Sequence, residues 1–106
     1  MAKYLIAATY TSEGVAGLAR DGGTARRNAV ETMVRDIGGR VESFYFALGE
    51  TDAFVVLDLP DNVTASALSL AANKSGAVKL TTTPLLTTEE VDQAIKKSVN
   101  YRAPGS

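Results

Sequence analysis

The order of the elements constrains this chain most: strand, helix, strand, strand, helix, strand, each read from hydrophobic period and closed by its own breaker. Lys3–Tyr10 opens as a strand, and its Tyr4, Leu5, Ile6, Ala7 and Ala8 are apolar on both faces, as a central strand requires. Thr11 and Ser12 offer helix N-caps, with Glu13 in the first turn. The short helix that follows runs through Leu18 and Ala19 and meets a break at Asp21-Gly22-Gly23. Thr24 caps a second helical segment in which Val30, Met33, Val34 and Ile37 recur at three- and four-residue spacing. Glu31, four residues from both Arg27 and Arg35, supports its wet face, and Gly38-Gly39 ends it.

Arg40–Leu48 and Ala53–Leu59 read as the next two strands, joined through the hairpin-like Gly49-Glu50-Thr51-Asp52. Asp61 caps a helix from about Val63 to Lys74, whose alanines allow close approach to a sheet. Val78–Thr83 is the fourth strand, and Pro84 assigns it an edge position or marks its end. Thr87 and Glu90 have the spacing of a capping box, and Val91, Ala94, Ile95 and Val99 give the final helix an apolar stripe. The expected organisation is one domain over residues 1–99 and an extended tail over residues 100–106. Two split β-α-β units imply an α+β fold, a ferredoxin-like βαββαβ sandwich with an extra C-terminal helix.

Alternation adds an expectation about self-association. Ala53, Val55, Leu57 and Leu59 form one apolar face of the third strand, expected to meet the helices. Phe54 and Val56 lie on the other face, where Tyr4, Ile6, Ala8 and Tyr10 of the first strand are expected to join them. Phe44, Tyr45 and Phe46 make the second strand apolar on both sides. With helices on one side only, such a second face calls for cover, and a second copy of the chain is the expected partner.

Composition prunes the chemistry. Apolar residues make up 45% of the 106 and charged residues 22%, the balance of a globular domain. With 11 basic and 12 acidic residues, the chain lacks the basic stripe that nucleic-acid binding usually needs; Arg20, Arg26 and Arg27 are diluted by Asp21 and Glu31. Nucleic acid is therefore not an expected partner. No apolar run is long enough to span a bilayer, so no membrane is expected either. The absence of cysteine and of a signal-like start points to the cytoplasm. The absence of histidine removes histidine acid–base catalysis and His/Cys metal sites, and no cofactor or metal is expected.

Three groups of residues are candidates for chemistry. Gly22-Gly23-Thr24-Ala25-Arg26-Arg27 could hold an anion, with Arg26 and Arg27 supplying charge, or could be a helix kink with solvated arginines. Glu42, Glu50, Asp52 and Asp58 stand in strands or at their ends. Glu42 or Asp52 could serve as a general base if dried by burial, or these could be strand-end acids that are solvated or paired with a neighbouring Arg or Lys. Tyr4, Tyr10, Tyr45 and Phe54 could line a small-molecule pocket at the open sheet face or a subunit boundary, or could be packing residues. The Leu80-Thr81-Thr82-Thr83 run could pair with another chain's edge, or reflect β propensity alone.

Several stretches resemble the GYD domain family: Met1–Ile6, Gly14-Val15 with Gly17-Leu18, Gly22–Arg27, Gly38–Phe46, Gly49–Asp52 and Val56–Asp61. The similarity covers essentially the whole chain. It implies a ferredoxin-like fold of the dimeric α+β barrel type, and it implies no particular activity. The family's Gly-x-Tyr-Asp pattern is met by Gly49, Glu50, Thr51 and Asp52, with threonine in the tyrosine's place. Three functions are compatible with these residues: a homo-oligomeric small-molecule binding or regulatory domain, a cofactor-independent enzyme on a small organic substrate, and a structural self-association module.

Overall fold

A computed structural model describes residues 1–106. The elements are β1 (Ala2–Tyr10), α1 (Ser12–Asp21), α2 (Gly23–Asp36), β2 (Arg40–Phe46), β3 (Ala53–Leu59), α3 (Asn62–Lys74), β4 (Val78–Leu85) and α4 (Thr88–Lys96). The fold is α+β: one open four-stranded sheet of order β2-β3-β1-β4, antiparallel at every pairing. β1 and β3, each a nearly continuous apolar run, are the central pair. β4 is an edge strand and carries Pro84 within it, where a missing N–H leaves no central ladder incomplete.

Local chemistry sets the element ends. Thr11 accepts from the Gly14 N–H at the start of α1, and Asp61 accepts from the Thr64 N–H at the start of α3. That bond, with one from the Thr64 hydroxyl, holds the Asp61 carboxyl below its ordinary pKa. Gly22 separates α1 from α2 with φ of 89°, a conformation that side chains disfavour. Gly14 answers a different need: a Cβ there would collide with the Ala77 carbonyl oxygen, so the missing side chain lets α1 lie against the start of β4. β2 ends at Phe46, two residues before Leu48, because the Ala47 N–H turns to the Asp52 carbonyl and closes the hairpin early.

One expectation about faces is corrected. Antiparallel pairing sets Tyr4 opposite Leu57, Ile6 opposite Val55 and Ala8 opposite Ala53, and directly opposed residues share a face. Tyr4, Ile6 and Ala8 therefore lie with the helices, buried, and Leu5 and Ala7 lie on the open face with Phe54 and Val56. Because β1 is apolar on both sides, its own pattern could not choose; the register did. The core is built from Tyr4, Ile6, Val34, Leu57, Leu59 and Ala65, closed by Val30, Ile37, Phe44 and Leu68. In β2 a bulge between Val41 and Ser43 keeps Val41 and Phe44 on the core side while Tyr45 stays on the open side.

The C-terminal segment behaves differently. Every residue from Leu86 to Ser106 is exposed, including Val91 and Ile95 of the α4 stripe. Its capping box is formed, so the helix is locally specified although nothing packs on it. Residues 97–106 carry no helix or strand. This projection explains a radius of gyration of 16.8 Å, against about 13 Å for a compact chain of this length.

Candidate functional site

Between the helices and the sheet lies a cavity of about 970 Å³. α1 and α2 pack together on one side and α3 lies over β4 on the other, so β1 and β3 form the floor of a gap that the helices do not close. Small side chains keep it open: Ala8 and Ala53 on the floor, Ala25 and Ala29 on α2, Ala71 and Ala72 on α3. Of its 26 lining residues 19 are hydrophobic, which makes it a place for an apolar body rather than for a polar sugar or nucleotide.

Its polar groups are few. Tyr10 ends β1 on the floor, half-buried, and its backbone N–H donates to Asp52 Oδ2 at 2.8 Å. Arg26 enters from the first turn of α2 and is half-buried. Arg20 and Asp21 lie at the rim and pair with each other, Nε to Oδ1 at 3.0 Å, a bond that holds the Asp21 carboxyl below its ordinary pKa. Glu13 stands exposed in the first turn of α1, where the helix dipole favours its charge.

Arg26 stands apart from the other arginines. Arg20, Arg27 and Arg40 each pair with a carboxylate, Arg35 donates to the Thr32 hydroxyl and Arg102 to the Ser106 carbonyl. Arg26 has no side-chain partner in the protein, although it is less exposed than its neighbour Arg27.

The candidates from the sequence are thus divided among several places. Tyr10 and Arg26 share the cavity. Arg27 reaches Glu31 on the wet face of α2, at 3.3 Å. Tyr4 is 1% exposed in the core and donates its hydroxyl to Asn62 Oδ1 at 2.6 Å. Tyr45 and Phe54 are exposed on the open face of the sheet, opposite each other across β2 and β3. The carboxylates are divided as well. Glu42 accepts from Lys3 Nζ at 3.2 Å, beside the start of β1. Asp52 binds backbone at the end of β1, seven residues and about 23 Å along the strand. Glu50 is exposed in the β2–β3 connection, its carbonyl accepting from the Thr9 hydroxyl. No group of three or more carboxylates stands close enough to hold a metal ion.

Asp58 is a strand-end acid paired with a neighbouring lysine and arginine, partners that the sequence alone did not name. This side chain is buried, and it accepts from Lys3 Nζ at 2.8 Å and from Arg40 Nη2 at 2.6 Å. The Lys3 bond, reinforced by Arg40, holds its carboxyl below the ordinary value against the opposing effect of burial, and the same bond raises the Lys3 ammonium. Lys3, Arg40 and Asp58 are three cross-strand neighbours in register, a signal available once the pairing is known. The cluster sits on the open face, and its charges are matched within the chain.

No helix is long and apolar enough to cross a membrane. Comparison with curated proteins and with solved structures returns no match. The profile of the GYD domain matches residues 4–95, from within β1 to within α4. With nearly the whole folded chain inside that match, the protein belongs to the GYD domain family.

Proposed function

We propose that this protein is a homo-oligomeric domain that binds a small organic molecule in the cavity between its helices and its sheet. The observation that carries the reading is the cavity itself: about 970 Å³ of apolar space, floored by the two central strands, with a half-buried arginine that no protein group satisfies. Space of this size falls in the range of ligand pockets. In this reading the β2-β3-β1-β4 sheet with its crossover helices is a ferredoxin-like sandwich of the dimeric α+β barrel type. Its placement in the cytoplasm, read from the cysteine-free sequence, belongs to the same proposal.

Self-association is supported by what the single chain leaves uncovered. Only 11 of 106 residues are buried, a small core for a domain of this length. Tyr45 is 70% and Phe54 42% exposed on the open face, beside Leu5 and Val56. Placing that face against a second copy would remove this apolar area from water and leave the cavity, on the other side of the sheet, free for its ligand.

An enzymatic role for Glu42 or Asp52 has less support. Both are engaged by other groups, and neither lines the cavity. A purely structural module would leave the cavity without a purpose. Native mass spectrometry of the protein purified from its own host tests the binding reading. The expected species is a multiple of the chain carrying a reproducible extra mass, and a bare chain under gentle conditions would contradict it.

A further inference from the structure

We infer that the ligand is an apolar molecule bearing one anionic head group, held by Arg26, with Tyr10 placed to donate a further hydrogen bond. The inference rests on the cavity reading and adds to it the chemical class of the occupant.

The cavity's electrostatics carry the inference. Its four ionisable side chains of fixed charge are Glu13, Arg20, Asp21 and Arg26. Arg20 and Asp21 neutralise each other at the rim. Glu13 is exposed and stands where the N-terminus of α1 compensates it. Arg26 alone is both half-buried and unpaired, while every other arginine has an acceptor within the chain. A guanidinium carries five N–H donors in a planar fork, and partial burial without an acceptor costs free energy that a bound carboxylate, sulfonate or phosphate recovers.

The remainder of the lining sets the other half of the ligand. Alanines and glycines of α1, α2 and α3 face the apolar floor of Ile6, Val55 and Leu57, and the only other lining cation, Arg20, is already paired with Asp21 and so is not free to meet a second anionic group. A polyanion such as a nucleoside diphosphate therefore finds one partner and several unfavourable neighbours. A single charge at one end of an apolar body finds both of its needs met. Tyr10 is a neutral donor on the floor of the same cavity, and its hydroxyl has no partner in the protein.

The test uses two fluorescent probes that differ by the anion alone: 1-anilinonaphthalene-8-sulfonate and its neutral parent, N-phenyl-1-naphthylamine. Each is titrated into the intact protein, into Arg26→Gln, and into Ala29→Phe and Ala71→Phe, which fill the cavity from opposite walls. Circular dichroism confirms that each variant is folded. The wild type is expected to bind the sulfonate about tenfold more tightly than the neutral probe, as a charge-assisted pair implies. Arg26→Gln should abolish that preference by weakening the sulfonate much more than the neutral probe, and the filling variants should weaken both probes. Equal affinities in the wild type, or a sulfonate preference that survives Arg26→Gln, would overturn the anion assignment and leave the cavity reading standing. Failure of both probes to bind, or binding that neither filling variant weakens, would overturn the cavity reading and the inference with it.

Discussion

The two faces of the sheet are made by the same four strands, yet they solve opposite problems. On the helix side Ile6, Val55, Leu57 and Leu59 are buried by the chain's own helices, and the polar groups admitted there are few and specific. On the open side Leu5, Val56, Phe54 and Tyr45 wait for cover from outside, and the charges of Lys3, Arg40, Glu42 and Asp58 are already matched among themselves. The comparison teaches where each kind of partner belongs. The face whose ionic cluster is matched internally and whose apolar groups are left exposed suits another protein surface. The face whose apolar groups are satisfied around a gap, with one cation left over, suits a small molecule.

The largest effect should come from the closed face. Leu57→Ala removes a side chain that is 1% exposed and should cost about 2–5 kcal/mol in denaturant unfolding, at any protein concentration. A loss below about 1 kcal/mol would mean that the helices do not pack on that face as described. Val56→Ala, one residue along on the open face, provides the matched comparison, and its cost should grow with protein concentration as copies associate.

Next in size is the ionic cluster. Asp58→Asn should cost about 1–2 kcal/mol, since Lys3 and Arg40 can turn to water when the carboxylate is gone. Its pH dependence carries a sign. Asp58 has a folded pKa below its ordinary value of 3.8, so its contribution is complete above that value and is lost as pH falls through the folded one. Lys3, raised above 10.5, contributes fully below that value and loses its share as pH rises through the folded one. A thermal melt series should therefore steepen below about pH 4 in the wild type and flatten there in Asp58→Asn. Parallel acid profiles would remove the cluster from the stability account.

A smaller effect is expected at Tyr4. Tyr4→Phe keeps the buried ring and loses only the bond to Asn62, whose amide is exposed and can bind water instead. The cost should be about 0.5–1.5 kcal/mol by denaturant midpoint. Smallest is Thr82→Val. The Thr82 hydroxyl oxygen is buried without a partner, on the face it shares with Ile6. Replacing it with a methyl should be neutral or stabilising by up to about 1 kcal/mol, and a clear loss would reveal a partner for that hydroxyl.

Much of this architecture is legible in the residues. Caps at Thr11, Asp61 and Thr87, breaks at Gly22 and Gly38, and apolar runs of strand length give the element order, because each is a local signal. The facing of β1 is not legible, since Tyr4, Leu5, Ile6 and Ala7 read as apolar in either register and only the pairing with β3 decides. That ambiguity placed Tyr4 on the open face, whereas it belongs to the core; Phe54 lies on the open face as its own alternation implied, with Tyr45 opposite it. Arg26 was legible as a candidate, but its distinction from Arg27 was not. Four residues on, Glu31 is within reach of Arg27 and not of Arg26, and only helix phase combined with the position of α2 separates a paired surface arginine from an unpaired one in a cavity.

The division of labour between the two faces is tested most directly by sedimentation equilibrium of the wild type and of Phe54→Glu across a hundredfold range of concentration. The open face is expected to hold wild-type copies together, while Phe54→Glu sediments as a folded monomer that still binds the sulfonate probe. A wild type that is monomeric throughout, or an oligomer that Phe54→Glu leaves intact, would contradict the assignment of that face to a second copy.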